Sequence, residues 1–445
     1  MKEAAVPLNV RKFIDERPFG SYQLRVAVMC GILVFMDGFD AQMMGFVAPA
    51  LTAFLKVSRT EFGFAISSGL VGMMIGALVC GPLADRFGRK PVLVGCAFAF
   101  GICSLITATA GSLRELMLFR LLTGFGLGGA MPNTIALTSE YSPKKSRATA
   151  VMLMFCGFSI GAAIPGFVAG PLIAGYGWQS MFIVGGVLPC VIAVIAVGVL
   201  PESFRFLIIK GRERKTILQH LSRIAPGAKL DAATAFVSGE PQTQSGIRHL
   251  FSAGRTALTL LLWVMFFMNL LDLYFLNSWL PSVLSDAGIP LNTASRVTSL
   301  LQIGGTCGAL LLGRLMDRLL SFRVLAATYI AAGISIFFIG QAGSSVLFLA
   351  FSVFAAGFFV IGGQTSSNAL AAEFYPTAIR ATGVGWALGI GRVGSIIGPT
   401  LGPMLMTPGI DSRHVFWAAS LPPIVAMIAA FSASVVEPSS DPTSE

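Results

Sequence analysis

From Val26 to Leu55 the chain runs for thirty residues with two charged side chains, Asp37 and Asp40, between Arg25 and Lys56. A helix needs about 20 apolar residues to cross a bilayer, so this stretch is long enough to span one. An ionised aspartate at mid-membrane costs about 2.5–3.5 kcal/mol on insertion scales. The spacing of three puts both carboxylates on one helix face. That face must turn to a polar cavity or a partner, where the acids do chemistry, or else one acid merely caps or braces a neighbouring helix at the Gly38 weak point.

The run is one of many. The chain is 55% hydrophobic and 12% charged, with a mean hydropathy of +0.78, against about 25% charged residues in soluble domains. So many apolar runs predict an all-α membrane protein and not a barrel. Twelve transmembrane helices are expected over 22–49, 61–84, 91–110, 114–139, 147–175 and 178–200, then 256–285, 294–316, 323–342, 345–373, 379–406 and 414–436. Fifty glycines suit helices that approach closely without a hydrophobic force between them. The acidic, Ser/Pro-rich tail from Glu437 reads as disordered. The polar N-terminus lacks the short apolar core of a removable signal, so the first helix is expected to stay as an anchor.

The formal net charge of +10 would suggest nucleic acid on a soluble protein. Here the basic residues sit in short loops and set topology instead. With both termini inside, 24 Lys and Arg fall on inner segments and 5 on outer ones, while Arg120 and Arg392 lie within helices. This predicts a multi-pass protein of the cell membrane with both termini cytoplasmic.

The two halves repeat. Phe35-Met36-Asp37-Gly38-Phe39-Asp40 aligns with Phe267-Met268-Asn269-Leu270-Leu271-Asp272 at an offset of 232. Gly81 and Asp85-Arg86 recur as Gly313 and Asp317-Arg318 at the same offset, and Glu140…Arg147 recurs as Glu373…Arg380 at 233. Parallel six-helix repeats are a transporter architecture with its site near the midplane. The expected domains are a six-helix bundle over 1–200, a cytoplasmic linker over 201–255, and a second bundle over 256–445. The basic run Arg205–Arg223 forms either an amphipathic helix on the inner membrane face or a plain solvated linker.

The seven cysteines lie in apolar segments without CxxC or Cys/His spacing, so neither disulfides nor a metal site is expected. The three histidines lie in loops or at a helix end, which leaves no intramembrane histidine relay. No nucleotide loop or nucleophile–base set points to an enzyme or a cofactor.

After the second helix, Asp85, Arg86, Arg89 and Lys90 crowd one surface. Such a cluster can lock two halves together and break when they rock, or it can serve topology and helix capping. The stretch Gly81-Pro-Leu-Ala-Asp85-Arg86-Phe-Gly88-Arg89-Lys90 resembles the signature of the major facilitator superfamily. Pro201-Glu202-Ser203-Phe204-Arg205 resembles the element that follows helix six in its sugar porters. The first helix, Asp37-Gly-Phe-Asp40 through Pro49, is similar to the aromatic acid/proton symporters, as is Gly128 through Tyr141 in helix four. That resemblance implies the major facilitator fold and proton-driven uptake of a small aromatic carboxylate of the benzoate or hydroxybenzoate type. A transporter of another organic anion or a sugar stays open. So does a drug exporter, because helix five carries Gly157, Gly161, Pro165 and Gly170 in a loosely antiporter-like pattern.

On this reading Asp37, Asp40, Glu140 and Asp272 are the candidate proton-coupling acids, with Glu140 also readable as part of an inner charge belt. Asp85, Arg86, Arg89, Asp317, Arg318, Glu373 and Arg380 form the candidate gate, with a purely structural salt bridge the competing role for Glu373. A buried arginine needs an anion, so Arg392 meets the substrate carboxylate or Arg120 pairs with an aspartate until protonation releases it; permanent pairing is the alternative. Gln42, Asn133, Tyr274, Asn277 and Gln364 are candidate substrate contacts, and each can equally link two helices. Protons, a small aromatic carboxylate and lipid are the expected partners of a protein working as a monomer.

Overall fold

The computed structural model describes residues 8–210, 214–226, 236–237, 247–252, 254–319, 322–343, 345–375, 379–406 and 412–436. A two-residue strand β1 (Leu8–Asn9) leads into α1 (Val10–Asp15). The first six long rods are α2 (Ser21–Leu55), α3 (Arg59–Phe87), α4 (Arg89–Thr107), α5 (Leu113–Tyr141), the broken pair α6 (Arg147–Ala163) and α7 (Pro165–Tyr176), and α8 (Gln179–Val199). Two short helices follow, α9 (Phe204–Ile209) and α10 (Arg214–Ile224), then β2 (Phe236–Val237). The second six rods are α11 (Thr256–Asp286), α12 (Leu291–Leu319), α13 (Phe322–Gln341), α14 (Val346–Phe374), α15 (Arg380–Leu405), and the broken pair α16 (Ser412–Ala419) and α17 (Leu421–Val436). Among the described residues, nine helical stretches are long and apolar enough to cross a membrane. The three further rods are α2, α5 and α15, which carry Asp37 and Asp40, Arg120 and Glu140, and Arg392.

Local chemistry sets the ends. Ser112 and Ser345 cap α5 and α14 by accepting from the backbone N–H three residues on. The rod at 147–176 breaks before Pro165, whose ring removes one helix hydrogen bond. The last rod breaks at Ser420, ahead of Pro422 and Pro423. The first helix outruns its expected end: it continues through Pro49 to Leu55 and stops at Lys56, where φ is +53°.

The sequence repeat returns as a repeat of contacts. A Cβ on Gly72 or Gly76 of α3 would overlap the carbonyls of Leu121 and Phe125 in α5. A Cβ on Gly304 or Gly308 of α12 would overlap those of Phe354 and Phe358 in α14. Gly161 meets the Phe35 carbonyl as Gly394 meets that of Phe267. Glycine lets backbones approach this closely, which is how helices associate without a hydrophobic drive.

The chain divides into two compact units that cut across the sequence halves: Met1–Asp40, Val71–Gly161 and Gln179–Gln242 form one, and Ala41–Leu70, Ala162–Trp178 and Thr243–Glu445 the other. In the first unit, β1 pairs in parallel with β2, Leu8 opposite Phe236. The amphipathic α10 neither floats in solvent nor offers its apolar face to lipid. Ile217, Leu221 and Ile224 are buried in the same core as Phe13, Ile14 and Tyr141. Burial of such side chains is worth roughly 1.5–3 kcal/mol each as an upper estimate, enough to dock a helix of eleven residues. In the second unit the core gathers Phe266, Tyr329 and Ala430 from α11, α13 and α17. The tail from Glu437 lies outside the described residues.

Candidate functional site

α2 runs unbroken through Gly38 and across the two acids, and both are buried, Asp37 at 3% and Asp40 at 7% exposure. Asp40 Oδ1 accepts from Arg120 Nη1 of α5 at 2.9 Å. The second guanidinium nitrogen, Nη2, donates to Thr123 Oγ1 at 3.2 Å, one turn along the same helix. The face of the Phe182 ring lies 5.1 Å from the guanidinium carbon. Arg120 is 2% exposed and the Asp40 side chain 10%, so this is a largely desolvated ion pair in the first unit. Asn133, further along α5, turns back to its own helix and donates to Gly129 O at 2.8 Å.

At the other end of α5, Glu140 is engaged by the Arg89 guanidinium. Gly88, at φ +106°, turns the chain from α3 into α4. A side chain there would press on the Glu202 carboxyl carbon at 2.9 Å. Glu202 Oε1 accepts from the backbone N–H of Arg89 at 2.8 Å, Lys90 at 3.2 Å and Ser203 at 2.8 Å. It thereby satisfies the orphan donors at the start of α4 and suits the positive end of that helix. Asp15 of α1 closes the same end of the unit, accepting from Lys144 N and Arg147 Nη2. Tyr22 shares a 2.8 Å hydrogen bond with His220 Nδ1 of α10. Burial, with Arg223 and Lys90 nearby, pushes the His220 imidazole down to about 4. Asp85 and Arg86 are exposed, and Asp85 forms no ion pair among the described residues.

The second unit holds the remaining candidates. Arg392 of α15 donates to the Tyr274 hydroxyl at 3.0 Å. Asn269, the counterpart of Asp37, donates to Val360 O at 3.2 Å and to Gln364 Oε1 at 2.8 Å, and Gln364 passes the chain on to Asn368. Asn277 Oδ1 accepts from Gln302 Nε2 at 3.0 Å. Gln42 is fully buried, and neither atom of its amide has a hydrogen-bond partner among the described residues. Glu373 is exposed, and the side chains of Asp317, Arg318 and Arg380 lie outside the described residues.

Segments from the first half of the chain also pack on second-half helices inside this unit, a feature no motif announced. A Cβ on Gly45 would lie 2.5 Å from Asn277 O, and one on Gly63 2.7 Å from Pro399 O. Ser67 donates to Ile396 O at 2.6 Å and Ser299 to Ala163 O at 2.9 Å. Trp279 donates to Pro399 O at 2.9 Å, edge-on to Phe62. Arg59 grips Asp286 through both guanidinium nitrogens. The sequence signal for this ion pair was only two lone charges at helix ends, which topology alone would explain.

A family model described as Major Facilitator Superfamily matches residues 30–338 and 262–445. The chain is 43% identical to the 4-hydroxybenzoate transporter PcaK of Pseudomonas aeruginosa, over 95% of each chain. It is 41% identical to a gallate transporter of Pseudomonas putida, over 95% of this chain and 94% of that one. The xylose transporter XylE from E. coli, at 17% identity, superposes with a TM-score of 0.74 over 93% of this chain and 98% of that one.

Proposed function

The chain belongs to the Major Facilitator Superfamily, and on that footing we propose that it imports a small aromatic carboxylate of the hydroxybenzoate type together with protons, across the cell membrane, by alternating access. It is a multi-pass membrane transporter and not an enzyme. The buried Arg120–Asp40 pair carries the reading. An arginine sealed from water needs an anion, and a carboxylate that takes a proton stops being one. The names of the near-full-length relatives supply the substrate class.

Asp37 and Asp40 face the acidic side and load a proton. Neutralising Asp40 frees the Arg120 guanidinium, whose planar fork fits a carboxylate through two parallel hydrogen bonds. Arg392, held by Tyr274, is the second place where a substrate anion can be met. Gln42, Asn277 and Gln364 offer amides to a ring hydroxyl, whereas Asn133 is occupied by its own helix. Asp272 is a further proton-coupling acid, and Glu140, engaged by Arg89, is either another or part of the inner charge belt that does not load a transported proton. Two bundles, 1–200 and 256–445, rock about the linker over 201–255, the monomer being the working unit. The charges at Asp85, Arg86, Arg89, Asp317, Arg318, Glu373 and Arg380 gate the inner side. With both termini in the cytoplasm, the Arg59–Asp286 pair and the Gly45 and Gly63 contacts close the outer side.

Proteoliposomes test the reading. An imposed inward proton gradient should drive accumulation of radiolabelled 4-hydroxybenzoate, and Asp40→Asn should sharply lower accumulation while keeping exchange. Wild-type uptake that ignores the gradient refutes the proton coupling, and the absence of any uptake refutes the substrate.

A further inference from the structure

Asp272 is the counterpart of Asp40, 232 residues on. It is 1% exposed, and neither carboxylate oxygen has a hydrogen-bond partner among the described residues. The polar side chains near it on α11 are turned elsewhere: Asn269 to Gln364, Tyr274 to Arg392, and Asn277 to Gln302.

The repeat explains the isolation. In the paired contacts of α5 and α14, Leu121 corresponds to Phe354 and Phe125 to Phe358, an offset of 233. By the same offset Arg120 corresponds to Val353, which is wholly buried. The second half has kept the acid and replaced its cation with a valine. Among the described residues, no other cation does the work. Arg392 of α15 is bonded to Tyr274. Arg296 and Arg314 of α12, Glu373 of α14, and Arg413 and His414 of α16 are exposed, and α17 carries no charged residue. An ionised Asp272 would thus be a bare charge in an apolar interior.

We infer that Asp272 is a second proton site, so that two protons accompany each substrate anion and one net positive charge crosses per cycle. The inference rests on the proton-symport reading and adds its stoichiometry. The first proton binds Asp40 and frees Arg120; the second forms an O–H bond on Asp272. A substrate carboxylate contributes one negative charge, so the cargo of two protons and one anion carries a net charge of plus one per cycle, the loaded site being neutral and the empty one carrying minus one. The contacts of Gly45 with Asn277 and of Arg59 with Asp286 clamp α11 five and fourteen residues beyond Asp272. The acid enters this clamped arrangement neutral, and both protons leave on the far side with the substrate.

The test uses the full-length protein in proteoliposomes with radiolabelled 4-hydroxybenzoate. Valinomycin and a potassium gradient impose an inside-negative potential at a fixed proton gradient. For each net positive charge carried, a tenfold potassium gradient raises equilibrium accumulation about tenfold. Wild type should gain about tenfold, and Asp272→Asn should gain nothing from the potential while still accumulating on the proton gradient. Exchange of substrate with equal concentrations on both sides reports that the variant is folded and binds. Accumulation by wild type that is blind to potential overturns the second proton whatever the variant does. So does an exchanging Asp272→Asn that keeps the tenfold gain. Absence of wild-type uptake under either gradient instead sinks the symport reading itself.

Discussion

Replacing Asp40 with asparagine removes the anion from a guanidinium that is 2% exposed. Arginine cannot shed its charge in a protein, so the loss strands a cation. Breaking a buried pair from one side costs about 3–5 kcal/mol. Here the lower end applies, because Thr123 Oγ1 at 3.2 Å and the Phe182 ring at 5.1 Å still receive the guanidinium. The reverse change, Arg120→Gln, leaves a carboxylate that can bind a proton and become neutral, so it should cost less. Removing both charges together should recover at least about 2 kcal/mol of the loss in Asp40→Asn, a coupling expected of residues in direct contact. Denaturant unfolding of the purified protein in detergent, followed by tryptophan fluorescence, measures all four corners of the cycle. The expected order of stability is wild type, the double variant, Arg120→Gln, then Asp40→Asn. If Asp40→Asn unfolds within about 1 kcal/mol of wild type, the pair is not the desolvated one described and the reasoning fails.

Glu202→Ala strips the acceptor from three backbone N–H groups and should cost about 2 kcal/mol in the same unfolding assay, with Glu202→Gln restoring part of it. The Arg59–Asp286 pair is exposed, at 38% and 44% of its side chains, so it should be worth only about 0.5–1 kcal/mol. Arg59→Ala should then raise labelling of a cysteine placed at Ser67 by an impermeant maleimide about 2–5-fold, and the charge swap Arg59→Asp with Asp286→Arg should reverse it. His220 is held down to about 4 from an ordinary 6.5, so the unfolded chain binds the extra proton between those values. Its contribution is therefore full above pH about 6.5 and is lost as pH falls toward about 4; pH-dependent stability should flatten in His220→Gln.

The helices were legible because apolar runs of bilayer length between Lys and Arg leave little else to fold. The repeat was legible in Asp40 and Asp272, and it returns in space as matched glycine contacts. That Arg120 needs an aspartate followed from burial alone, but Asp37, Asp40 and Asp272 satisfied that need equally on paper, and only geometry selects Asp40. The docking of α10 was out of reach for a related reason: a stripe of Ile217, Leu221 and Ile224 fits lipid and protein alike. The Arg59–Asp286 pair was hidden because the residues lie 227 apart and charges at helix ends already have a topological explanation. The two compact units cut across the sequence halves because close approach at Gly45, Gly63 and Ser67 ties first-half segments to second-half helices, and pairing between distant glycines and carbonyls has no sequence period.

Those ties are of a kind that can be undone. Gly45 and Gly63 meet carbonyl oxygens with no side chain between, so each contact is worth at most a weak C–H···O interaction of about 0.5–1 kcal/mol. Ser67 and Ser299 add neutral hydrogen bonds of net worth about 0.5–1.5 kcal/mol, and the ion pair is exposed. By contrast, Arg120–Asp40 is buried and charged. A seal made of interlocked leucines would cost several kcal/mol to open, since full burial of each such side chain is worth roughly 1.5–3 kcal/mol. On the proposed alternating-access reading the chemistry is thus divided: inexpensive backbone contacts hold the end that must part, and a costly desolvated pair sits where a proton would part it.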